Sequence, residues 1–178
     1  MRDGSQPARW VISLKVALLA LLTANTAFYI FFGTRSEALD SPAWLVLLVS
    51  FEAETGLRHR FGGRSATTIL RILRMLAAAA LAAAAVGYAH DGEWLDVINV
   101  ALWIAVVALL EFKIRNCGQS TRLDRVLGWA AAALYTGLIT LVAAWFLRRE
   151  WFDAYDAALW LTAFAIVELD LLSRETSQ

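Results

Sequence analysis

The sequence has very few of the residues on which most soluble enzymes depend. Its 178 residues include one cysteine, two histidines and two prolines, and only 18% of them are charged. About a quarter of the residues are charged in an average soluble domain, so the composition argues against a soluble enzyme. Cys117 has no second cysteine for a disulfide, and with His59 and His90 it offers too few ligands for zinc, haem or an iron–sulfur cluster. Neither a metal site nor a cofactor is therefore expected.

The sequence also lacks a surplus of charge of either sign. Sixteen Lys and Arg balance sixteen Asp and Glu, and a nucleic-acid-binding surface would need a basic excess. No glycine-rich phosphate loop, zinc-binding His-Glu-x-x-His helix or serine nucleophile elbow is present. The sequence therefore predicts a protein that is not an enzyme and does not bind nucleic acid.

Long apolar runs dominate what is present, since 60% of the residues are hydrophobic. A bilayer core about 30 Å thick needs roughly 20 apolar residues of helix, and three runs meet that length: 10–32, 66–89 and 126–147. The first run is expected to be retained as a span, because it continues beyond the length of a secretory leader. Three shorter runs alternate with them, at 43–51, 97–110 and 157–167. The pattern predicts an all-α polytopic membrane protein with six transmembrane helices in three sequential hairpin repeats, at about 10–60, 64–115 and 122–174.

The distribution of Lys and Arg predicts the orientation of these spans. With the amino terminus in the cytoplasm, thirteen of the sixteen basic residues lie on the cytoplasmic side, and Arg35, Arg148 and Arg149 lie outside. The positive-inside rule favours this arrangement. We expect a multi-pass protein of the bacterial inner (plasma) membrane, with both termini cytoplasmic and membrane lipids as partners. Four tryptophans are expected at the interfaces, where an amphipathic ring suits the headgroup layer: Trp10, Trp94, Trp145 and Trp151.

A threefold internal pattern is the most specific observation in the sequence. Residues 93–111 and 150–168 align without gaps at an offset of 57 and share eight of nineteen residues. In each predicted hairpin, an acidic residue is followed by Asp or Asn after three residues, Trp after four more and Glu after eight more. These residues are Glu37, Asp40, Trp44 and Glu52, then Asp96, Asn99, Trp103 and Glu111, then Asp153, Asp156, Trp160 and Glu168.

Helical geometry gives this pattern a meaning. At about 100° per residue the four side chains share one side of a helix. With a rise of about 1.5 Å per residue, each Glu lies about 18 Å from the Asp or Asn of its hairpin, which places Glu52, Glu111 and Glu168 inside the hydrocarbon layer. A carboxylate at that depth costs roughly 2.5 kcal/mol or more. We therefore expect the polar stripe that the four side chains form on each helix to face the interior of the bundle and not the lipid.

Basic residues near the cytoplasmic ends of the odd-numbered helices are the expected charge partners of the three glutamates: Lys15, Arg71, Arg74 and Arg125. Lys15 and Arg74 each precede the Trp of their hairpin by 29 residues, whereas Arg125 precedes Trp160 by 35. The difference predicts a longer outer turn in the third hairpin. Two interpretations remain open. The glutamates form structural salt bridges with these residues, or they form a ring that binds a cation or passes a proton.

The functional prediction is a cation or proton pathway, or a proton-coupled carrier of a small solute, that uses Glu52, Glu111 and Glu168. Its outer mouth would be lined by Asp40, Trp44, Asn99, Trp103, Asp156 and Trp160, where acidic groups concentrate cations. The first alternative is a structural or assembly subunit of a larger membrane complex. A second is a small-solute-binding component that works with a separate energising module. Small residues on the long spans would also permit a homo-oligomer.

Overall fold

The computed structural model describes residues 9–57, 64–115 and 121–175, and all of the secondary structure in them is helical. The all-α prediction is confirmed. Six helices follow one another in these ranges. They are α1 (Arg9–Phe32), α2 (Arg35–Leu57), α3 (Arg64–Asp91), α4 (Trp94–Arg115), α5 (Thr121–Arg148) and α6 (Trp151–Glu175).

Four of the six helices are long and apolar enough to cross a membrane. Their apolar segments are Ser13–Phe32 in α1, Thr68–Asp91 in α3, Trp94–Phe112 in α4 and Arg122–Arg148 in α5. Helix α2 carries Pro42 in its interior. Proline has no backbone N–H, so α2 lacks the hydrogen bond that residue 42 would otherwise donate to the carbonyl of Ala38.

Two residues separate the helices of each consecutive pair α1–α2, α3–α4 and α5–α6. Helices α1, α3 and α5 end at Phe32, Asp91 and Arg148, and the next helix begins three residues later in each case. The longer turn expected after α5 is therefore absent. The Arg125 to Trp160 spacing exceeds the other two because Arg125 does not occupy the position that corresponds to Arg74.

The turns after α3 and α5 have the same backbone design. Gly92 and Arg149 follow the helix ends and have φ values of 81° and 66°. The N–H of Glu93 donates to the carbonyl of Tyr88 at 2.9 Å, and that of Glu150 donates to the carbonyl of Trp145 at 3.0 Å. A hydrogen bond of this six-to-one type, together with a residue in the left-handed conformation, forms the Schellman motif that ends a helix. These turns reverse the chain within two residues.

The start of α2 is fixed by a capping box. The N–H of Glu37 donates to Thr34 Oγ1 at 3.3 Å, and the N–H of Thr34 donates to Glu37 Oε2. The two side chains thus satisfy two of the backbone donors that a helix start leaves open. Glu37, which sequence analysis identified only as the first acid of the repeated pattern, has this structural role as well.

The chain divides into two compact units. The first unit is Thr23–Ala101, and the second comprises Met1–Leu22 with Leu102–Gln178. In the first unit α2 packs along α3. A methyl group built on Gly87 would overlap Ser36 Oγ, so glycine at position 87 permits this close approach. The core of this unit contains Ala84, Tyr88 and Val100.

In the second unit α5 packs against α6, and aromatic rings connect α6 with α4. The Phe164 ring centroid lies 4.6 Å from that of Trp103 and 6.4 Å from that of Trp160. Contacts of this kind contribute about 0.5–1.5 kcal/mol beyond the burial of area. A Cβ on Gly137 would lie 3.2 Å from Leu102 Cδ1, which shows that α4 and α5 also approach closely.

The odd-numbered helices have buried residues at corresponding positions. The helix ends at 32, 91 and 148 are 59 and 57 residues apart, and the same offsets relate two sets of buried side chains. These are Leu22, Leu81 and Leu138, and Tyr29, Tyr88 and Trp145. Trp145 is only 3% exposed, so its expected place at the membrane interface is wrong. It packs inside its own unit, at the position in α5 that corresponds to Tyr88 in α3.

Candidate functional site

The tryptophans of the repeated pattern are all buried. Trp44, Trp103 and Trp160 are 6%, 4% and 7% exposed. Trp44 Nε1 donates to Asp40 Oδ1 at 3.1 Å, which joins two members of the pattern one helical turn apart. Asp40 and its counterparts Asn99 and Asp156 are half-buried. The part of each stripe near the turn therefore lies against neighbouring helices.

The three glutamates at the other end of the pattern are described unequally. The side chains of Glu52 and Glu168 lie outside the described residues. Glu111 belongs to the apolar segment Trp94–Phe112 of α4, and its side chain is exposed. The convergence of the three carboxylates on one space remains a prediction.

Of the four expected charge partners, Arg74 has the most informative contact. Its Nη2 donates to the carbonyl oxygen of Ser50 at 3.2 Å, and Ser50 is only 2% exposed. Because Ser50 precedes Glu52 by two residues, the guanidinium lies against the segment of α2 that carries this glutamate. Lys15 is half-buried and has a partner of its own, whereas Arg71 and Arg125 are exposed. The salt bridges themselves remain predictions.

Several acidic side chains interact electrostatically with Tyr88, at the end of the first unit that contains the turns. Four carboxylates lie close enough to interact electrostatically with the phenol: Asp40, Asp96, Glu37 and Glu93. We refer to these four residues as the acidic group. Tyr88 itself is only 3% exposed. A buried phenol thus lies within electrostatic range of carboxylates from α2, α4 and the turn between α3 and α4.

Asn99 adds a second polar group to this end of the unit. It follows Asp96 by three residues, so the two side chains lie on the same face of α4. Its Oδ1 is fully buried and has no hydrogen-bond partner among the described residues. Buried carbonyl oxygens are nearly always hydrogen-bonded, and one that is not indicates a missing donor.

The first hairpin has a polar interior that the sequence analysis missed. The buried polar residues of the described chain are Asn25, Thr26, Ser36, Ser41 and Ser50, and all of them belong to α1 or α2. Thr26 Oγ1 and Ser41 Oγ are 3.0 Å apart and share a hydrogen bond. Burying a hydroxyl or amide is unfavourable without such a bond, so the bond between Thr26 and Ser41 offsets part of the cost of this interior.

The corresponding positions of the other two hairpins are all apolar. At offsets of 59 and 57 residues they are Ala84, Ala85, Leu95, Val100 and Leu109 in α3 and α4, and Leu141, Val142, Phe152, Ala157 and Ile166 in α5 and α6. The signal was present in the sequence, because an alignment of the first hairpin with the other two shows it. The shared Asp–Trp–Glu pattern does not include these positions, at which the hairpins differ.

Comparison with known proteins provides no relative for this chain. No protein-family model, curated protein or solved structure matches it. Within the part of the chain that is described, no group of three or more His, Cys, Asp or Glu side chains is positioned to hold a metal ion.

Proposed function

We propose that the chain is an integral membrane protein of three sequential helical hairpins. Four apolar helices of sufficient length support this proposal. Large apolar side chains on them are exposed, including Met75 at 68%, Val86 at 71% and Ile139 at 59%. Exposed apolar surface of this extent is costly in water and favourable in lipid. The equal two-residue turns and the recurring helix ends support the hairpin arrangement.

The proposed location is the bacterial inner membrane, with both termini in the cytoplasm and the three turns outside. The support for this orientation is the distribution of charge. In the predicted topology thirteen of the sixteen Lys and Arg residues belong to cytoplasmic segments or helix ends, as the positive-inside rule requires. Trp94 and Trp151 begin α4 and α6 next to the turns and are 63% and 56% exposed, which suits a headgroup layer at this level.

In this membrane the protein provides a cation or proton pathway, or acts as a proton-coupled carrier of a small solute. The observation that carries this proposal is the burial of Trp44, Trp103 and Trp160 beside half-buried Asp or Asn side chains. Polar groups of a span that face other helices and not lipid are typical of ion and solute pathways. The intramembrane charges of this pathway are Glu52, Glu111 and Glu168.

Flux measurements in vesicles reconstituted with the purified protein test this function. Proton flux is followed with an internal pH dye, and cation flux with potassium or sodium gradients. Each of Glu52→Gln, Glu111→Gln and Glu168→Gln removes one charge and keeps the shape of the side chain. We expect at least one of them to lower flux by tenfold or more. Glu150→Gln, in the exposed turn before α6, is the matched control. Unchanged flux in all three folded variants would refute the proposal.

The exposed position of Glu111 favours one alternative function. A carboxylate on the outer surface of an apolar span is expensive in lipid, and a helix of another subunit would cover it. In that case the chain is a structural or assembly subunit of a larger membrane complex. Purification in mild detergent separates the two possibilities. A foreign protein in fixed stoichiometry supports the assembly role, whereas a symmetric homo-oligomer or a monomer supports the pathway.

A further inference from the structure

We propose that the exposed face of α5 binds an anionic phospholipid, whose headgroup lies against Arg122 and Arg125 and whose acyl chain lies along the helix beyond Trp129. The inference concerns the outer surface of the chain and not its pathway. It rests on the membrane location proposed above, and the closing experiment separates a failure of the lipid site from a failure of that location.

The exposed side chains of α5 form one continuous stripe. At about 100° per residue, Arg122, Arg125 and Trp129 fall within roughly 60° of one another. All three are exposed, Trp129 at 74%. The same half of the helix surface carries six further exposed residues: Val126, Ala132, Thr136, Ile139, Thr140 and Leu147. The buried residues of α5 lie on the other half: Leu127, Leu138, Leu141 and Trp145. The stripe therefore faces away from the packed side of the helix.

The polar side chains within the stripe suit contact with lipid. Thr136 Oγ1 donates to the carbonyl of Ala132 at 2.7 Å, and Thr140 Oγ1 donates to the carbonyl of Thr136 at 2.8 Å. Hydroxyl groups bonded to the preceding turn need no acceptor from their surroundings, and a hydrocarbon environment offers none. Between Trp129 and Leu147 the stripe thus presents apolar groups and internally bonded hydroxyls, as contact with acyl chains requires.

The charge at one end of the stripe selects the kind of lipid. Arg122 and Arg125 are three residues apart on one face, and the acid between them in sequence, Asp124, is rotated by about 100° or more from each. Guanidiniums form charge-assisted hydrogen bonds with phosphate. Arg122 has a further interaction within the chain, and the five N–H donors of a guanidinium allow both. The two positive charges therefore complement an anionic headgroup.

The position of the arginines along α5 fits the headgroup layer. The proposed orientation puts this end of α5 at the cytoplasmic surface. At about 1.5 Å per residue, the helix from Arg125 to Arg148 is about 35 Å long, slightly more than the hydrocarbon core of about 30 Å. Trp129 lies one turn from Arg125, where an indole suits the boundary between headgroups and acyl chains. From Trp129 to Ile139 the stripe covers about 15 Å, which is one leaflet of the core.

The corresponding face of α3 lacks the charged end. At an offset of 57 residues, the two arginines and the tryptophan are replaced by Ser65, Thr68 and Ile72. Ile72 and Met75 are 52% and 68% exposed, so this face offers an apolar surface to any lipid. Only the face of α5 combines such a surface with a pair of guanidiniums and an exposed indole at these positions. The difference places the selective site on α5.

The charges also argue against a second copy of the chain as the occupant of this face. All copies of a membrane protein have the same orientation, so a symmetric contact through the stripe would bring four guanidiniums to one level. Like charges repel one another, most strongly where water is scarce. An anionic lipid instead balances the charge of the arginines and covers the apolar stripe.

Lipid binding to the full chain in nonionic detergent tests the proposal. Dioleoylphosphatidylglycerol and dioleoylphosphatidylcholine have the same acyl chains, but only the first has a net negative charge. Each is titrated while native mass spectrometry measures the fraction of protein that carries lipid. We expect phosphatidylglycerol to bind at least tenfold more tightly, with a preference that falls as the salt concentration rises. Equal affinities for the two lipids would overturn the proposal.

Matched variants locate the binding. One guanidinium near an anionic surface contributes about a fivefold gain in affinity, so Arg122→Gln and Arg125→Gln should each lower the affinity for phosphatidylglycerol by about that factor. The affinity for phosphatidylcholine should stay unchanged, and the double variant should lose most of the preference. Arg125→Lys keeps the charge and should retain more affinity than Arg125→Gln, which distinguishes an electrostatic effect from a loss of fold.

Arg71→Gln is the control for the general effect of a positive charge. Arg71 is exposed on α3, and the next arginine, Arg74, donates to the carbonyl of Ser50, so the two do not form an exposed pair. We expect Arg71→Gln to change the affinity for phosphatidylglycerol by less than twofold. An equal loss in Arg71→Gln, or no loss in the double variant of Arg122 and Arg125, would overturn the assignment to α5.

Sodium phosphate distinguishes a lipid from a free anion. At constant ionic strength it should displace phosphatidylglycerol no better than sodium chloride does, because a free phosphate gains nothing from the apolar stripe. If phosphate displaces the lipid selectively, the arginines recognise a soluble anion and the lipid assignment is wrong.

Lipid binding and membrane location fail separately. If alkaline carbonate releases the expressed chain from the membrane fraction, the membrane proposal is lost and the lipid site with it. If the chain stays in the membrane fraction but shows no preference for phosphatidylglycerol, only the lipid site is wrong, and the pathway proposal remains.

Discussion

The contact between Gly87 on α3 and Ser36 on α2 leads to a prediction with an internal control. A Cβ at position 87 would overlap Ser36 Oγ, whereas a Cβ at Gly128 on α5 would meet nothing within 4 Å. Overpacking a close contact costs about 1–3 kcal/mol, and replacing glycine by alanine inside a helix contributes about 1 kcal/mol. We expect Gly87→Ala to lower the free energy of unfolding by about 1–2 kcal/mol and Gly128→Ala to raise it by up to about 1 kcal/mol.

A second mutation, at Ser36, removes the overlapping atom and completes a double-mutant cycle with Gly87→Ala. Ser36→Ala deletes Oγ, and the next atom, Ser36 Cβ, would lie 3.4 Å from the new methyl group, which is an ordinary van der Waals distance. The double variant should therefore recover most of the stability lost in Gly87→Ala, with a coupling energy of about 1–2 kcal/mol. The free energy of unfolding is measured by titration with SDS in mixed micelles, followed by tryptophan fluorescence. If Gly87→Ala is as stabilising as Gly128→Ala, α2 and α3 do not approach each other as described.

Three further predictions concern turns, caps and packing. Gly92→Ala should destabilise the protein by about 1 kcal/mol and Arg149→Gly should stabilise it by a similar amount, because both positions have positive φ; opposite shifts of the thermal midpoint check this. Thr34→Ala removes the cap of α2 and should cost about 0.5–2 kcal/mol, and unchanged stability would argue against the cap. Trp103→Ala should cost about 3–5 kcal/mol, whereas Trp129→Ala, at a side chain 74% exposed, should cost far less in detergent; similar losses would contradict the packing around Trp103.

Hydropathy and periodicity were sufficient to predict the helices but not their lengths. The run 43–51 lies within Arg35–Leu57, and the run 157–167 lies within Trp151–Glu175. The helices extend well beyond the apolar runs because caps and backbone hydrogen bonds decide where a helix begins. Thr34 and Glu37 form such a cap at the start of α2. Apolar composition does not record these local bonds.

The candidate site was predictable only in part, for a different physical reason. The recurring pattern identified Asp40, Asn99 and Trp44 as candidate residues, since spacing along one helix is a local property. Tyr88 was missed because its importance comes from side chains on α2 and α4 that pack near it. The burial of Trp145 also depends on neighbouring helices. From the sequence alone, an aromatic residue near the end of a span is compatible with either lipid headgroups or a packed core.

The burial of the tryptophans offers an optical measure of insertion that needs no label. Of the seven tryptophans whose side chains the structure describes, three are exposed and four are shielded inside their own units; the exposed ones are Trp94, Trp129 and Trp151, and the shielded ones are Trp44, Trp103, Trp145 and Trp160. Brominated acyl chains quench only the indoles that they touch. In bilayers of such lipids, the fluorescence of the exposed tryptophans would therefore be quenched and that of the shielded ones would remain. The bromine position along the acyl chain that quenches most strongly would report the depth of the exposed tryptophans in the bilayer.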